Sequence, residues 1–474
     1  MKRPLFWLVW WWAGACVGVA APNVLFLAID DLRPDLGCYG NVEVKTPRID
    51  QLAAEGILFE RAYCQQSLCL PSRMSLMSGL SPVNPVMWRL TEEQEDVRKA
   101  ARESVTTLTE QFRHHGYRAV AFGKIYDSRQ TLPKEEVWDM LSQAHANMYA
   151  SEEANQIQRE YRKNKTGKSD RPAFEQADVA DDFFADGKRT QLAIQALESH
   201  DYQQPFFLAV GYTSPHLPFV APKKYWDLYD RDALTLTSAK APPENHSEFL
   251  FSHYKEIEAY GHPDPMTEEF ERTMLHGYYA TASYVDAQIG LLIDELKAQG
   301  QYENTVIVVW GDHGFKIGDY GEWAKHTNLE LDTRVPLLFR LPEGEHQGRR
   351  SKALVELTDI FPTLCDVAGL PVPESAQGRS LLKVMNGEEE MVREAALSQY
   401  PKPDKHMGYS IRTERWRYHE TRARRTDQRV SQELYDLSEG FVEEVNVLDD
   451  FPEVVERHAV LLQKRLDSVR RGGS

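Results

Sequence analysis

The sequence is poor in cysteine and in basic residues. These two shortages argue against a small disulfide-held domain and against a nucleic-acid-binding protein. Five cysteines in 474 residues are too few for a small domain held together by disulfides. Lysine and arginine number 55 against 72 aspartates and glutamates, which gives a net charge of −17. Nucleic-acid-binding proteins carry a basic domain or stripe, so this acidic chain is not expected to bind nucleic acid. An anionic ligand would need a local group of cations, because charges beyond about 8–10 Å are largely screened.

Long hydrophobic runs are also missing, except at the start of the chain. Residues 1–21 have a basic beginning, an apolar run and a small-residue ending, which is the pattern of a secretory signal peptide. Cys16 in this segment offers an alternative, as the attachment point of a lipid. No later segment has the roughly 18 uninterrupted apolar residues of a membrane span. We therefore expect an exported protein, periplasmic or secreted, without a membrane span.

The remaining pattern predicts an α/β fold. Apolar runs typical of buried parallel strands cover 23–29, 205–211 and 305–310, a shorter strand covers 118–122, and helical patterns lie between them. We predict a catalytic α/β domain over 22–372, with a mainly parallel sheet flanked by helices. Within it, the polar stretch 127–185 is interpreted as an insertion. Short strands and turns after 373 predict a smaller α+β subdomain over 373–474, with an antiparallel sheet.

Acidic residues follow two of the predicted strands. Asp30 and Asp31 come after the first strand, and Asp312 with His313 comes after the strand 305–310. Sites in parallel sheets lie outside the carboxyl ends of the strands, which is where these residues fall. Oxygen-rich donors of this kind suit Ca²⁺, with Mg²⁺ as the second choice. Acidic residues at strand ends are also compatible with helix caps.

The segment Cys69–Gly79, CLPSRMSLMSG, carries the most specific pattern. Cys69 is predicted at a helix N-terminus with Arg73 one turn further on, a setting that would lower the pKa of the thiol. A cap sequence with a buried cysteine is the alternative. The segment also matches the C-x-P-S-R-x-x-x-M-S-G signature, and the chain thereby resembles the sulfatase family.

This resemblance implies an alkaline-phosphatase-like fold and a set of site residues. In sulfatases the signature cysteine is oxidised by a formylglycine-generating enzyme, and the hydrated aldehyde is the nucleophile. Carried over to this chain, the resemblance implies a calcium site and groups that hold the sulfate. The implied metal ligands are Asp30, Asp31, Cys69, Asp312 and His313. The implied catalytic groups are Cys69, Arg73, Lys124, Lys325 and His216, the last as general acid toward the leaving oxygen.

Further runs resemble the iduronate 2-sulfatase branch of the family. They include residues 30–34, 207–212, 321–325, 358–364, 398–401 and 407–413, and together they span nearly the whole mature chain. The resemblance implies a sulfated glycan substrate, with a 2-O-sulfated uronic acid as the expected sugar. Lys405 would then help to hold the sugar carboxylate. Arg412, Arg415 and Arg417 could extend that subsite, or they could form the basic face of an edge strand.

The chain departs from the family pattern at three positions. Asp127 stands where iduronate 2-sulfatases carry a histidine that takes a proton from the formylglycine hydroxyl. Asp127 could be a substitute base, another residue could take this role, or turnover could be impaired. Ser214 replaces a frequent lysine, which removes one cation on the sulfate side. His326 replaces the aromatic residue after Lys325 and is a candidate for substrate binding.

Two other functions are compatible with the sequence. A phosphodiesterase or phosphonate hydrolase of the same superfamily could use the same modified cysteine. A catalytically silent, glycan-binding relative is suggested by Asp127, whereas the intact Cys69, Asp30, Asp31, Asp312 and Lys325 argue against it. Relative rates on matched aryl esters would separate the hydrolases from each other, and binding without turnover would identify the silent protein.

Overall fold

The computed structural model describes residues 21–90, 95–126, 137–164 and 169–471. Residues 1–20 of the predicted signal peptide, with Cys16, lie outside this part of the chain, as does Asp127. The strands are β1 Asn23–Ile29, β2 Ile57–Tyr63, β3 Arg118–Gly123, β4 Met140–Ser142, β5 Phe174–Ala177, β6 Phe206–Tyr212, β7 Phe219–Pro222, β8 Thr305–Gly311, β9 Lys316–Ile317, β10 Trp323–Ala324, β11 Arg334–Arg340, β12 Arg349–Glu356, β13 Ala396–Lys402, β14 His406–Arg412, β15 Trp416–Ala423 and β16 Arg429–Asp436. The α-helices are α1 Pro47–Ala54, α2 Cys69–Ser78, α3 Pro85–Arg89, α4 Glu95–Glu103, α5 Leu108–His114, α6 Glu152–Asn164, α7 Ala185–Glu198, α8 Lys223–Trp226, α9 Glu268–Ala298, α10 Glu330–Thr333, α11 Ile360–Val367, α12 Leu382–Asn386 and α13 Pro452–Arg470.

Eight of the described strands form one central sheet, in the spatial order β12, β2, β11, β8, β1, β6, β3, β4. Neighbouring strands are parallel except where β11 pairs with β2 and β8. The prediction of a mainly parallel α/β sheet is confirmed. The hydrophobic pattern did not indicate the antiparallel direction of β11, because a strand buried on both faces has the same pattern in either direction.

Apolar side chains on both faces of the sheet build two cores. In β1, Val24 and Phe26 pack into one core, while Leu25 and Leu27 pack into the other. This two-sided burial explains why β1, β6 and β8 are continuous apolar runs rather than alternating ones. The long helix α9 covers one face of the sheet, and helix α2 packs against the opposite face.

The C-terminal part contains the predicted antiparallel sheet, with strands β13, β14, β15 and β16 in sequence order. Helix α13 packs on this sheet through Leu462 and Leu466. The subdomain boundary near residue 373 stays a prediction. No helix in the described ranges is long and apolar enough to cross a membrane. The four described cysteines are all free, in line with the absence of a disulfide framework.

Buried ion pairs join the small sheet to the central one. Glu330 of α10 is fully buried, and its Oε2 lies 3.3 Å from Nε of Arg412 and 3.0 Å from Nε of Arg417. Arg415 is exposed and pairs with Asp436 at 2.6 Å. Arg412 and Arg417 therefore lie inside an interface. This does not fit the suggestion that these three arginines extend a sugar subsite, because two of them are committed to Glu330.

Candidate active site

The metal candidates meet at the carboxyl ends of two adjacent parallel strands. Asp30 and Asp31 follow β1, Asp312 and His313 follow β8, and all four side chains are fully buried. The backbone N–H groups of Asp31 and His313 donate to Oδ1 of Asp312 at 3.1 and 3.0 Å. The carboxylate of Asp312 therefore orients the segments that follow both β1 and β8. Nδ1 of His313 lies 3.0 Å from the carbonyl oxygen of Gly314, which leaves Nε2 directed toward the acidic group.

Cys69 is the first residue of α2 and points into the same cluster. Its Sγ lies 3.3 Å from Nε2 of His313. Burial raises the pKa of the thiol to about 12, and the carboxylate of Asp30 acts in the same direction. The expectation that the helix N-terminus lowers this pKa is wrong, because burial and a nearby anion outweigh the helix dipole. Unmodified Cys69 is therefore a thiol, not a thiolate, at neutral pH.

Arg73 lies one turn along α2 and ties the cluster together. The guanidinium is fully buried, Nε donates to Oδ2 of Asp312 at 2.8 Å, and Nη2 lies 3.4 Å from Oδ1 of Asp30. Nη1 also donates to the backbone carbonyls of Lys124 and Ile125. Burial alone would lower the pKa of Arg73, but Asp312 and Asp30 raise it above its usual value. The arginine is charged, and it positions both carboxylates and the loop after β3.

Two lysines bring further positive charge to the carboxylates. Nζ of Lys124, in the loop after β3, lies 2.5 Å from Oδ2 of Asp30. Nζ of Lys325, just after β10, lies 2.8 and 2.9 Å from the two carboxylate oxygens of Asp31. Burial alone would lower the pKa of each lysine, but Asp30 and Asp31 raise these values above the usual range. Both side chains are therefore cationic.

His216 follows β6 and faces a residue that the sequence analysis missed. Its Nε2 lies 3.1 Å from Oε1 of Glu256, and its Nδ1 lies 2.6 Å from the carbonyl oxygen of Leu217. Burial alone would lower the pKa of His216, but Asp31 and Glu256 raise it to about 10. Both ring nitrogens then carry a proton, as a general acid requires. Glu256 lies in a polar loop that matches no motif, so the sequence contained no signal for it.

The two predicted substrate-binding residues lie in different places. His326 is buried beside Lys325, and its ring centroid is 4.9 Å from that of Tyr254 and 5.8 Å from that of Tyr400. Burial lowers the pKa of His326 to about 3, so the imidazole is neutral. Lys405 is exposed in the turn between β13 and β14, and within the described ranges it forms no hydrogen bond with the cluster.

The donor set fits a divalent cation. One ligand atom from each of Asp30, Cys69, Asp312 and His313 lies within 4.8 Å of the others, and Asp30, Asp31, Cys69 and His216 form a second such group. Three fully buried carboxylates, those of Asp30, Asp31 and Asp312, converge here. Carboxylate oxygens are the ligands that Ca²⁺ prefers. We conclude that the predicted metal ligands lie close enough together to hold a metal ion: Asp30, Asp31, residue 69, Asp312 and His313.

A cavity of about 470 Å³ adjoins the cluster on the side of His216. Its walls combine Ile125 and His216 from the loops after β3 and β6, Arg189 from helix α7, and Asn147 and Met148 from the predicted insertion. Ligand sites are usually cavities of several hundred Å³ in which a few polar groups converge. The cavity is therefore large enough for a sugar-sized leaving group next to His216.

Two family models and two iduronate 2-sulfatases match this chain. Residues 22–370 match the family model described as Sulfatase, and residues 318–472 match the one described as N-sulphoglucosamine sulphohydrolase, C-terminal. The chain is 31% identical to iduronate 2-sulfatase of Mus musculus, an alignment that covers 84% of each protein. It is 30% identical to iduronate 2-sulfatase of Homo sapiens, over 88% of this chain and 90% of that one.

A solved structure shares the fold. The phosphonate monoester hydrolase of Agrobacterium radiobacter superposes with a TM-score of 0.74 at 24% identity, over 94% of this chain and 95% of that chain. The predicted alkaline-phosphatase-like architecture is thus confirmed. The family match covers well over half of the sequence and contains every residue of the cluster around Cys69. The chain therefore belongs to the sulfatase family, and it is a sulfuric ester hydrolase.

Proposed function

We propose that this sulfatase removes a sulfate ester from a glycan, with residue 69 in the formylglycine form. The observation that carries the proposal is the convergence of four cationic side chains on Cys69 and three buried carboxylates. These cations are Arg73, Lys124, Lys325 and protonated His216. The CLPSRMSLMSG signature that begins at Cys69 supports the modification.

In the proposed hydrolysis, each charged residue around position 69 has its own role. In the formylglycine form, residue 69 would supply a hydrated aldehyde as the nucleophile. Arg73 and Lys124 stabilise negative charge near residue 69, and Lys325 binds the sulfate oxygens. His216 donates its Nε2 proton to the leaving oxygen. Asp127 is a candidate for the residue that takes a proton from the nucleophile.

We also propose that Ca²⁺ is the resident metal. Asp30, Asp31, Asp312 and His313 would hold it, and a bound divalent cation would supply positive charge that stabilises anionic oxygens. Magnesium is the second choice, since it prefers stricter octahedral geometry and keeps more of its water. Arg73 contacts Asp30 and Asp312 and so positions both carboxylates for such an ion.

The likeness to the two iduronate 2-sulfatases supports a 2-O-sulfated uronic acid as the sugar. Lys405 lies exposed in the turn between β13 and β14, and its role in holding the sugar carboxylate stays a prediction. We further propose that residues 1–21 direct export to the periplasm or the exterior. A formylglycine-generating enzyme would then be the partner needed for maturation.

The test combines peptide mass spectrometry across residue 69 with turnover assays. The protein is expressed with a formylglycine-generating enzyme and assayed on matched aryl sulfate, aryl phosphonate and 2-O-sulfated uronide substrates. We expect loss of the Cys69 sulfur and preferential hydrolysis of sulfate esters. Cys69→Ala should lower kcat/KM by about 10³-fold or more, whereas Cys365→Ala, a buried cysteine outside the site, serves as the matched control.

Two results would contradict the proposal. Conversion of Cys69 with faster turnover of the phosphonate than of the sulfate would favour the phosphonate hydrolase. Conversion followed by binding of sulfated uronides without turnover would identify a silent glycan-binding protein. It would also support the alternative that Asp127, in place of the family histidine, impairs turnover.

A further inference from the structure

Glu256 places a buried carboxylate between the two cations proposed to contact the ester. It begins a short 3₁₀ helix, Glu256–Ala259, in the segment between β7 and α9. Its side chain is 8% exposed. Oε1 lies 3.1 Å from Nε2 of His216, and Oε2 lies 2.9 Å from Nζ of Lys325. A substrate oxygen that contacts both cations must therefore lie next to this carboxylate.

The segment that carries Glu256 is anchored on both sides. Before it, the carbonyl oxygen of Leu250 accepts a hydrogen bond from Nζ of the buried Lys402 at 2.7 Å. After it, the carbonyl oxygen of Ala259 accepts from Nη2 of Arg171 at 2.8 Å and from Oγ of Ser169 at 2.9 Å. These hydrogen bonds fix the position of Glu256, so its carboxylate has a defined place beside the site.

Two buried polar atoms beside Lys325 have no well-directed hydrogen bond to a described residue. Oε2 of Glu256 receives no well-directed hydrogen bond from any described residue, although the ion pair with Lys325 neutralises its charge. Nδ1 of His326 has no hydrogen-bond partner in the same part of the chain. A buried carboxylate can accept several hydrogen bonds, and leaving its acceptor sites unfilled is unfavourable. With Lys325 bound to the sulfate oxygens as proposed, these atoms would lie beside the sulfated part of the substrate.

We propose that Glu256 is a specificity-determining residue, whose carboxylate accepts a hydrogen bond from a hydroxyl or amino group on the atom next to the sulfated carbon. The inference rests on the proposed sulfatase mechanism and deepens it. It assigns a substrate class in which the ester has a neighbouring donor, as in a sugar with vicinal hydroxyls.

Aryl sulfates with a single ortho substituent test this without assuming the identity of the sugar. The probes are 2-hydroxyphenyl sulfate and 2-aminophenyl sulfate, which carry the donor, and 2-methoxyphenyl sulfate, in which it is blocked. The readout is the ratio of kcat/KM for a donor probe to kcat/KM for the methoxy probe. Because each ratio is compared between enzymes, the intrinsic reactivity of the probes cancels. The two donor probes distinguish a hydroxyl from an amino preference.

The variant Glu256→Gln should lower this ratio at least about tenfold for one or both donor probes, which corresponds to about 1.4 kcal/mol. A hydrogen bond to a charged acceptor is stronger than one to a neutral amide, which is the reason for the loss. Glu256→Asp, which keeps the charge on a shorter side chain, should restore part of the ratio. Glu258→Gln is the matched control, because Glu258 lies in the same 3₁₀ helix, is partly exposed and faces His262 at 3.8 Å.

Several outcomes would overturn the inference. An equal gain of Glu256→Gln on all probes would mean that the carboxylate only obstructs the site. An equal loss on all probes, or the same change of ratio in Glu258→Gln, would mean a merely structural role. If Glu256→Gln does not fold, Glu256→Asp is measured in its place. A ratio below that of the wild type then supports the inference, and an unchanged ratio contradicts it. Failure of the wild-type enzyme to hydrolyse any aryl sulfate would instead refute the proposed function, and this inference with it.

Discussion

At Cys69 the local sequence and the tertiary environment act in opposite directions. The start of α2 alone favours a thiolate, yet the folded protein buries the sulfur next to the carboxylate of Asp30. The same contrast holds at His216, where burial disfavours the imidazolium but Asp31 and Glu256 favour it. At each position the protonation state follows from which charged side chains the fold brings within a few ångströms.

The metal proposal leads to a prediction at the residue scale. Calcium at about 100 times its dissociation constant should stabilise the wild-type protein by about 2.7 kcal/mol, because only the folded state presents the site. Asp31→Asn should remove most of this stabilisation, since it deletes a buried carboxylate that converges on the cluster. Thermal unfolding with and without Ca²⁺ or Mg²⁺ measures the effect. The exposed Asp366→Asn is the control, and equal calcium shifts in both variants would refute the assignment.

At the scale of elements, the close approach of neighbouring strands positions Lys124. β3 and β6 are parallel neighbours, and Gly123 at the end of β3 pairs with Gly211 in β6. The backbone N–H of Lys124 donates to the carbonyl oxygen of Gly211 at 3.0 Å. A Cβ on Gly211 would lie 2.1 Å from the backbone oxygen of Lys124, far inside contact distance. The absence of a side chain at residue 211 is therefore needed for the loop that carries the lysine.

This geometry predicts the effect of Gly211→Ala. The added methyl group must displace the backbone of Lys124, and a catalytic group moved by about 1 Å can cost about 10²-fold in rate. We expect kcat/KM on an aryl sulfate to fall by about that factor, with a smaller loss of stability. Gly440→Ala provides the comparison, because no atom lies within 4 Å of a Cβ there. Wild-type activity in Gly211→Ala would contradict the positioning role.

At the scale of the whole molecule, a buried carboxylate holds the small sheet against the central one. Glu330 accepts hydrogen bonds from Arg412 and Arg417 of the C-terminal sheet, and from the hydroxyl of Tyr63 in β2 at 2.8 Å. Burial alone would raise the pKa of Glu330, but Arg417 and Arg412 lower it from 4.5 to about 2. The ionised carboxylate is therefore a structural requirement of the subdomain contact.

Removing that charge should destabilise the protein strongly. Glu330→Gln leaves two buried arginines without their main counter-ion, and we expect a loss of about 3–5 kcal/mol in the free energy of unfolding. Because the native pKa is lowered, the contribution of Glu330 is complete above about pH 4.5 and is lost as the pH falls toward about 2. Denaturant titrations from pH 7 to pH 3 measure this. The exposed Glu439→Gln is the control, and equal stability of the two variants would contradict the role.

Local patterns in the sequence determined much of the framework. The apolar run 23–29 predicts β1 residue for residue, and Thr107 with Glu110 forms the capping box that begins α5. The motif around Cys69 identified the family before any coordinates, because its chemistry requires fixed residue types at short spacing. These features depend on contacts between residues that are close along the chain.

Only the tertiary structure decided the features that depend on contacts over long sequence separations. It placed Glu256 against His216 and Lys325, committed Arg412 and Arg417 to Glu330, left Lys405 in an exposed turn and reversed the expected pKa shift of Cys69. None of these follows from spacing, because hydrogen bonds and charge–charge interactions act through a few ångströms of space, whatever the distance along the chain. The sequence alone determined which chemistry the residues can perform, and the fold decided which of them meet.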